Sequence, residues 1–174
     1  ADNVAAVVTE PLVQGAGGMV FHPPETLQAL RRACDRHNVL LIVDEIFTGF
    51  GRTGSLFACH QAGIVPDIVT LSKALTGGTM ALATTTARTP IFEAFLGDDP
   101  DKALMHGPTY MGNPLACAAA NAAIDLFERE PRLEQVGRIE AQMKRALAPA
   151  RAVAGVRDVR ALGAIGVIEV DGRK

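Results

Sequence analysis

Residues 68–78 read Ile-Val-Thr-Leu-Ser-Lys-Ala-Leu-Thr-Gly-Gly. A short apolar run rich in β-branched side chains is typical of a buried strand, and the glycine pair behind it indicates a turn. Lys73 therefore follows the carboxyl end of a predicted strand. We expect it to be poorly solvated there, which makes the amine of a lysine a better nucleophile.

A second predicted strand, 39–43, ends in the same way, because Asp44 and Glu45 follow it directly. Open α/β sheets bind their ligands outside the carboxyl ends of the strands. A lysine that forms a Schiff base and a carboxylate that holds a pyridinium nitrogen are the two protein groups that pyridoxal phosphate (PLP) chemistry requires. Lys73 and Asp44 are the candidates for these two groups.

The composition excludes several classes of partner. The chain has 174 residues, 48% of them hydrophobic, which suits one ordinary core, and its net charge is −2. We therefore expect neither nucleic acid nor a membrane as partner, and no apolar run approaches the roughly 20 residues of a bilayer span. The three cysteines are far apart, which favours reduced thiols over a disulfide frame or a metal site.

Both ends of the sequence favour a piece of a longer protein, or a degenerate gene product. The chain has no initiator methionine, and it stops soon after the strand-like run 165–170. It opens with no charged-then-apolar signal pattern, so a cytoplasmic location is expected.

Strand and helix patterns alternate along the chain, which predicts an α/β fold with a mainly parallel sheet and flanking helices. From residue 132 the pattern changes to an amphipathic helix followed by two adjacent strands, so we place a domain boundary at Glu130, between 1–130 and 131–174. Strands are predicted at 4–8, 39–43, 68–72, 80–86, 156–162 and 165–170, helices at 23–38, 56–62, 89–97, 114–130 and 132–148, and loops at 14–18 and 98–108.

Each charged group near the predicted sheet edge also has a plain structural explanation. Asp44 could cap the turn that follows it, and Glu45 could pair with Arg52. The loop 48–54 is rich in glycine but fits neither common phosphate-binding spacing, so its glycines could serve backbone geometry alone. Glu10, at the end of the first strand, could be a surface carboxylate.

A further cluster precedes the alanine-rich helix that Asn113 and Pro114 start. His106, Gly107, Pro108 and Thr109 place a hydroxyl and backbone amides near a helix N-terminus, where phosphate can bind. An ordinary helix cap is the alternative.

Together these segments resemble the class III aminotransferases of PLP fold type I. The resemblance runs from Glu10 to Ile165, and its most specific parts are 44–54 (Asp-Glu-Ile-Phe-Thr-Gly-Phe-Gly-Arg-Thr-Gly), 66–68 (Pro-Asp-Ile) and 71–78. It implies part of a PLP-binding large domain, followed by the start of a small α+β domain.

Details within the class resemble the branch that transfers an amino group from S-adenosylmethionine to 8-amino-7-oxononanoate in biotin synthesis. Phe47 stands where many members carry glutamine, and the run 77–84 lacks the proline turn found in many relatives. The runs 105–117 and 160–166 are also similar to this branch.

The resemblance implies a role for each site residue. Lys73 would form the Schiff base and move the substrate proton, Asp44 would keep the pyridine nitrogen protonated, and Ile46 would pack on the ring. Glu10 would gate the substrate, and Arg52 would shape the substrate region.

The resemblance also implies a homodimer with a shared active site. Thr109, with Gly107 and Pro108, would reach the cofactor phosphate of the partner subunit, and Gly107 would also border the substrates, which are a small-molecule amino donor and a keto acceptor. No metal is implied.

Other parts of such a site are not in this sequence. The family's glycine-serine phosphate loop, its ring-stacking aromatic residue and its carboxylate-binding arginine belong to other regions of the protein. We therefore expect the chain alone to bind PLP weakly or not at all and to be inactive. Two alternatives stay open: another class III ω-amino acid, ornithine or diamine transaminase or aminomutase, and an inactive fragment that keeps a dimerisation surface.

Overall fold

A computed structural model describes residues 3–172, so the terminal residues 1–2 and 173–174 named above lie outside the described part. The strands are β1 (Ala6–Thr9), β2 (Val13–Gln14), β3 (Val20–Phe21), β4 (Leu40–Asp44), β5 (Ile68–Leu71), β6 (Thr84–Ala87), β7 (Val156–Leu162) and β8 (Ile165–Val170). The helices are α1 (Pro24–His37), α2 (Thr89–Glu93), α3 (Pro114–Arg129) and α4 (Arg132–Leu147).

The main sheet has the strand order β1-β4-β5-β6. The first three strands are parallel, and β6 runs antiparallel to β5. This confirms the predicted α/β fold with a mainly parallel sheet. Two small antiparallel hairpins, β2–β3 and β7–β8, complete the strands.

Helix α1 covers one face of the sheet and forms its core. Pro24 suits the first helical turn, and Leu27 and Cys34 fall on one side, where they pack against Leu41 and Val43. The helix ends at Asn38, which takes the left-handed conformation at φ 50° and lets the chain turn into β4.

Asp67 ties three elements together at the start of β5. Its carboxylate accepts a hydrogen bond from the Leu41 amide at 2.8 Å and pairs with Arg31 of α1 at 2.7 Å. Its other oxygen pairs with Arg88, just after β6, at 3.3 Å. Burial by itself would raise the pKa of Asp67, but the Leu41 amide and Arg31 hold that pKa below its usual range.

Some sequence predictions need correction. The loop predicted at 14–18 is the turn 15–18 of the β2–β3 hairpin, except that Gln14 belongs to β2. The strand expected at 80–86 is β6, which begins only at Thr84 and is exposed along its whole length. Its run of small polar residues has the β-branched character of a strand but no apolar face to bury.

The predicted start of α3 is confirmed. The Asn113 side chain accepts a hydrogen bond from the Leu115 amide at 3.0 Å and caps the helix. After α3, residues 132–172 form α4 and the β7–β8 hairpin, so the change of pattern at Glu130 coincides with the break between α3 and α4. That this break separates two domains stays a prediction.

Among residues 3–172 no helix is long and apolar enough to cross a membrane. The same residues hold no cluster of three or more side chains suited to a metal ion.

We predict that Asp67→Asn lowers the free energy of unfolding by about 3 kcal/mol, because it leaves the largely buried Arg31 guanidinium with only the exposed Asp35 as a charged partner. The loss is measured by urea denaturation at pH 7. Asp35→Asn is the matched control: it also pairs with Arg31 but is 63% exposed, and should cost about 0.5 kcal/mol or less.

The same pair has a pH signature. Because the pKa of Asp67 is lowered by folding, its contribution is present above the pKa of the unfolded chain, about 4, and is lost as pH falls through the folded value. Equal losses for the two variants, or an unchanged acid transition in Asp67→Asn, would contradict this assignment.

Candidate functional site

The predicted site residues begin where the parallel strands end. Thr9 pairs with Val43 in register, and Asp44 pairs with Thr70, so Glu10 and Asp44 leave the sheet side by side. Lys73 follows β5 by two residues on the same edge. This is the edge at which open α/β sheets bind ligands.

A cavity of about 360 Å³ opens at this edge. It contains four of the predicted site residues, together with four others. The full lining is Glu10, Gly15, Ala16, Met19, Asp44, Ile46, Phe47 and Lys73. A larger cavity of about 460 Å³ lies between α4 and β7, but it contains none of the predicted site residues and no nucleophile beyond a surface lysine, so we assign the chemistry to the smaller one.

Lys73 has an unusual backbone for a residue with a side chain. Its φ is +46°, in the left-handed region that L-residues disfavour, and such residues cluster at functional sites. Its Nζ lies 5.3 Å from the centre of the Phe47 ring, within reach of a cation–π contact.

The expectation that Lys73 is poorly solvated is wrong in the described part of the chain. Lys73 is exposed, and so are most residues of 77–83, which lie next to it after β5. Burial of the strand itself stops at Leu71, and Lys73 lines the cavity while it remains exposed.

Asp44 serves the turn and the cavity together. One carboxylate oxygen accepts a hydrogen bond from the Ile46 amide at 3.0 Å, which is the turn-capping contact expected of an aspartate after a strand. The same side chain lines the cavity. The structural explanation is therefore correct but does not remove Asp44 from the candidate site.

Glu45 does not pair with Arg52, so that alternative is wrong. Its carboxylate is fully buried and instead accepts hydrogen bonds from the Thr48 hydroxyl at 3.0 Å and from the Ala58 and Cys59 amides at 2.9 and 2.8 Å. Burial, and then the neighbouring Glu45 charge, raise the pKa of the Cys59 thiol to about 12. Glu45 is a structural carboxylate that folds the loop behind Asp44.

Arg52 lies beside the cavity but outside its lining. Its guanidinium carbon is 5.4 Å from the Phe47 ring centre, and its buried Nε has no hydrogen-bond partner among the described residues. Its carbonyl oxygen accepts a hydrogen bond from the Ala164 amide at 2.8 Å. Phe47 therefore has two cationic neighbours, Lys73 and Arg52.

Glu10 is anchored by the loop in front of it. Its carboxylate accepts a hydrogen bond from the Gly15 amide at 2.9 Å. A Cβ at position 15 would lie 3.3 Å from both that carboxylate and the Phe47 ring, so a glycine suits this close approach.

The segment 107–109 is not part of this cavity. Gly107, Pro108 and Thr109 are all exposed, as is His106. Large apolar side chains around them are also exposed, among them Met105 at 91% and Tyr110 at 81%.

The predicted site lacked Gly15, Ala16 and Met19, which the β2–β3 hairpin brings to the cavity. The glycines of 15–18, close behind Glu10, were the only local signal. Phe47 was noted only as a departure from relatives, although it lines the cavity and lies beside both Lys73 and Arg52.

The lining fits one end of PLP. An amine, a carboxylate and the apolar surfaces of Ile46 and Phe47 face one space, which suits a lysine-linked aromatic ring with a basic nitrogen. Lys73 is the sole cation among the eight lining residues, and the Gly15, Met19 and Ile46 amides are already hydrogen-bonded within the lining. If Lys73 holds the ring, the described lining has no second cation for the cofactor phosphate.

Several known proteins are similar to this chain in sequence. A relative from Corynebacterium glutamicum, named adenosylmethionine-8-amino-7-oxononanoate aminotransferase, is 48% identical over 170 residues, covering 98% of this chain and 40% of its own length. A relative of the same name from Mycobacterium leprae is 52% identical and is covered to 38%. The chain thus spans about 40% of the curated relatives it matches.

Two solved structures have the same fold as this chain over nearly its whole length. The same-named enzyme of Methanocaldococcus jannaschii superimposes with a TM-score of 0.89 at 36% identity, covering 95% of this chain and 39% of that one. The ornithine aminotransferase of Toxoplasma gondii, described with PLP at its active site, gives 0.86 at 36% identity, with 97% and 38% covered.

The family model described as aminotransferase class III matches residues 1–174. The resemblance identified from the sequence is confirmed, and with it the PLP-dependent enzyme class. The chain belongs to the class III aminotransferase family.

Proposed function

We propose that this chain forms the Lys73-bearing part of a PLP-dependent aminotransferase that transfers an amino group from S-adenosylmethionine to 8-amino-7-oxononanoate, giving 7,8-diaminononanoate in biotin biosynthesis. The observation that carries the proposal is that Lys73, Asp44 and Glu10 face one cavity at the carboxyl edge of the sheet. The curated relatives bearing that name support the choice of substrates.

PLP, when bound, supplies the electron sink for the carbanion formed at the substrate Cα. The chain's own residues do the rest. The Lys73 amine would hold the cofactor and, once the amino donor had displaced it, would take the proton from the substrate Cα as a general base and deliver it to the cofactor carbon C4′ as a general acid. Asp44 would help to keep the ring nitrogen protonated, and Ile46 would pack against the ring.

Two residues at or beside the cavity, Glu10 and Arg52, are the proposed substrate-binding groups. Glu10, held by the Gly15 amide, would gate entry, and Arg52, whose guanidinium lies 5.4 Å from the Phe47 ring centre, would shape the substrate region. These roles are part of the proposal.

We also propose that the enzyme is a homodimer with shared sites. Gly107, Pro108 and Thr109 are exposed and do not line this chain's cavity, and exposed apolar side chains flank them. A patch of that kind marks a protein–protein interface. In the partner's site Thr109 would bind the cofactor phosphate and Gly107 would border the substrate.

The chain alone is proposed to bind PLP weakly or not at all and to be inactive, because its cavity lining has no cation for the cofactor phosphate besides Lys73. A division at Glu130 into a large-domain part and a small-domain part, and a cytoplasmic location, belong to the same proposal.

A second function rests on the ornithine aminotransferase match. Its structure is as similar in sequence, at 36%, as that of the jannaschii enzyme. A class III transaminase for ornithine, another ω-amino acid or a diamine would use the same Lys73 and Asp44.

We predict that Lys73→Ala removes the visible absorbance of lysine-bound PLP and lowers kcat by at least about 10⁴-fold, because the attachment point and the proton carrier are the same amine. The measurement uses a chimera in which this chain replaces the matching segment of the C. glutamicum relative. Lys102→Ala, at an exposed lysine, is the control. An unchanged spectrum in Lys73→Ala would refute the site, and a parent chimera without the band would favour an inactive fragment.

The substrate proposal is tested by offering the same chimera different amino donors. We expect turnover with S-adenosylmethionine and at least about 100-fold lower kcat/KM with ornithine or simple ω-amino acids, a difference of about 3 kcal/mol in transition-state binding. The reverse order would select the second function.

Shared sites predict complementation between two inactive variants. In a hybrid dimer of Lys73→Ala and Thr109→Ala chimeras, one site keeps both residues, so random reassociation should restore about a quarter of full activity. Activity is measured after mixing and refolding. No gain over the separate variants would contradict a shared site.

A further inference from the structure

Arg160, on β7, reaches across to the β2–β3 hairpin. Its Nε and Nη2 both donate to the carbonyl oxygen of Met19, at 3.1 and 3.0 Å. Its Nη1 donates to Asp158 at 2.8 Å and to Glu169 at 2.7 Å, and the side chain is only 18% exposed. The two carboxylates orient the guanidinium, so its other nitrogens face the Met19 carbonyl.

The backbone that Arg160 holds is strained. Met19 has a φ of +54°, which a residue with a Cβ disfavours, and Gly18 before it has a φ of +104°. Such a conformation persists only where the surroundings fix it. Two charge-assisted hydrogen bonds to one carbonyl are a contact of that kind.

The held segment is a wall of the candidate active site. Met19 lines the cavity with Gly15 and Ala16, opposite Asp44 and Lys73. Phe21, just beyond Met19, lies under the Arg160 guanidinium at 5.6 Å.

The same hairpin shares a core with the C-terminal strands. The buried residues Leu12, Val13 and Ile165 form a cluster against which Met19 and Phe47 pack. A hydrophobic core is non-directional, whereas the Arg160 hydrogen bonds fix one position of the Met19 carbonyl.

We propose that Arg160 is a positioning residue of the active site: it fixes the β2–β3 hairpin at the distance from Asp44 and Lys73 that the substrates require, without touching them. The claim that Arg160 affects substrate binding rests on the proposed function. The claim that Arg160 fixes the position of the hairpin is independent of it.

The test compares Arg160→Met with Arg157→Met in the chimera described above. Arg157 lies on the same strand and also pairs with Glu169, at 3.6 Å, but it is 72% exposed and makes none of the hydrogen bonds to Met19. Arg160→Lys, which keeps the charge and can reach the carbonyl with one donor group, measures rescue.

The first readout is hydrogen exchange in the hairpin. The Met19 amide bonds to Gly15 and the His22 amide bonds to Leu12, so both report its opening. We expect exchange over residues 13–22 to be about 10-fold faster in Arg160→Met, unchanged in Arg157→Met and intermediate in Arg160→Lys, with β4 unchanged in all three. Unchanged exchange over 13–22 would overturn the proposal.

The second readout is steady-state kinetics. We expect Arg160→Met to raise KM for both substrates about 10-fold while kcat falls less than about 3-fold, because both occupy the same cavity in turn and Lys73 is not displaced. Faster exchange with unchanged KM would overturn the role in substrate binding. A parent chimera without activity would instead refute the proposed function and leave exchange to decide the position of the hairpin.

If Arg160→Met unfolds as a whole, seen as loss of cooperative melting and of protection in β4, the comparison is made between Arg160→Lys and Arg157→Met by the same two readouts. Exchange over residues 13–22 that is equal in these two variants would then overturn the proposal.

Discussion

The geometry of the site depends on one buried carboxylate, that of Glu45. It has no contact with solvent, and a charge in such a place is tolerated only when polar groups surround it. The Thr48 hydroxyl and the amides of Ala58 and Cys59 supply three hydrogen bonds. The bonds from Ala58 and Cys59 bring the chain back to the end of β4 and so fix the path of the glycine-rich loop between them. Ile46 and Phe47, at the start of that loop, line the cavity.

The loop that Glu45 folds is also the surface on which the C-terminal hairpin rests. Ala164 donates to the Arg52 carbonyl, and Glu140 of α4 accepts from the Gly163 amide at 2.9 Å. Arg160 of the same hairpin holds Met19 on the other wall. The part of the chain after Glu130 thus contacts two sides of the cavity, although it supplies none of the lining residues. Whether or not the break at Glu130 separates domains, the two parts are mechanically connected at the site.

The sequence predicted what depends on local pattern. The strands before Asp44 and Lys73 are apolar and short, α1 and α3 have proline starts, and strand ends of one parallel sheet meet at one edge, so the meeting of Glu10, Asp44 and Lys73 could be derived. The hydrogen-bond partners of Glu45 could not be derived from the sequence. A carboxylate followed closely by an arginine suggests an ion pair, and only the folded chain shows that the Ala58 and Cys59 amides reach Glu45 instead. The exposure of Lys73 was missed for a similar reason: strand burial is a local property, but cover over a strand end comes from distant elements. Gly15 and Met19 reach the cavity through a two-residue strand pair, which is too short for periodicity to reveal.

The close contact between Gly163 and the loop 52–54 limits where residues can be inserted into this chain or deleted from it. Gly163 has a φ of +56°, and any Cβ there would overlap the Arg52 carbonyl and the backbone of Thr53 and Gly54. Surface loops ordinarily tolerate insertions, since their backbone is solvated. Here both backbones are in contact and hydrogen-bonded, so an added residue in either turn would separate Arg52 from the hairpin. Variation in length is better accommodated in the exposed segment 98–104, which precedes the residues proposed for the shared site. Designs that alter the substrate range should change side chains around Phe47 and leave the spacing of these turns intact.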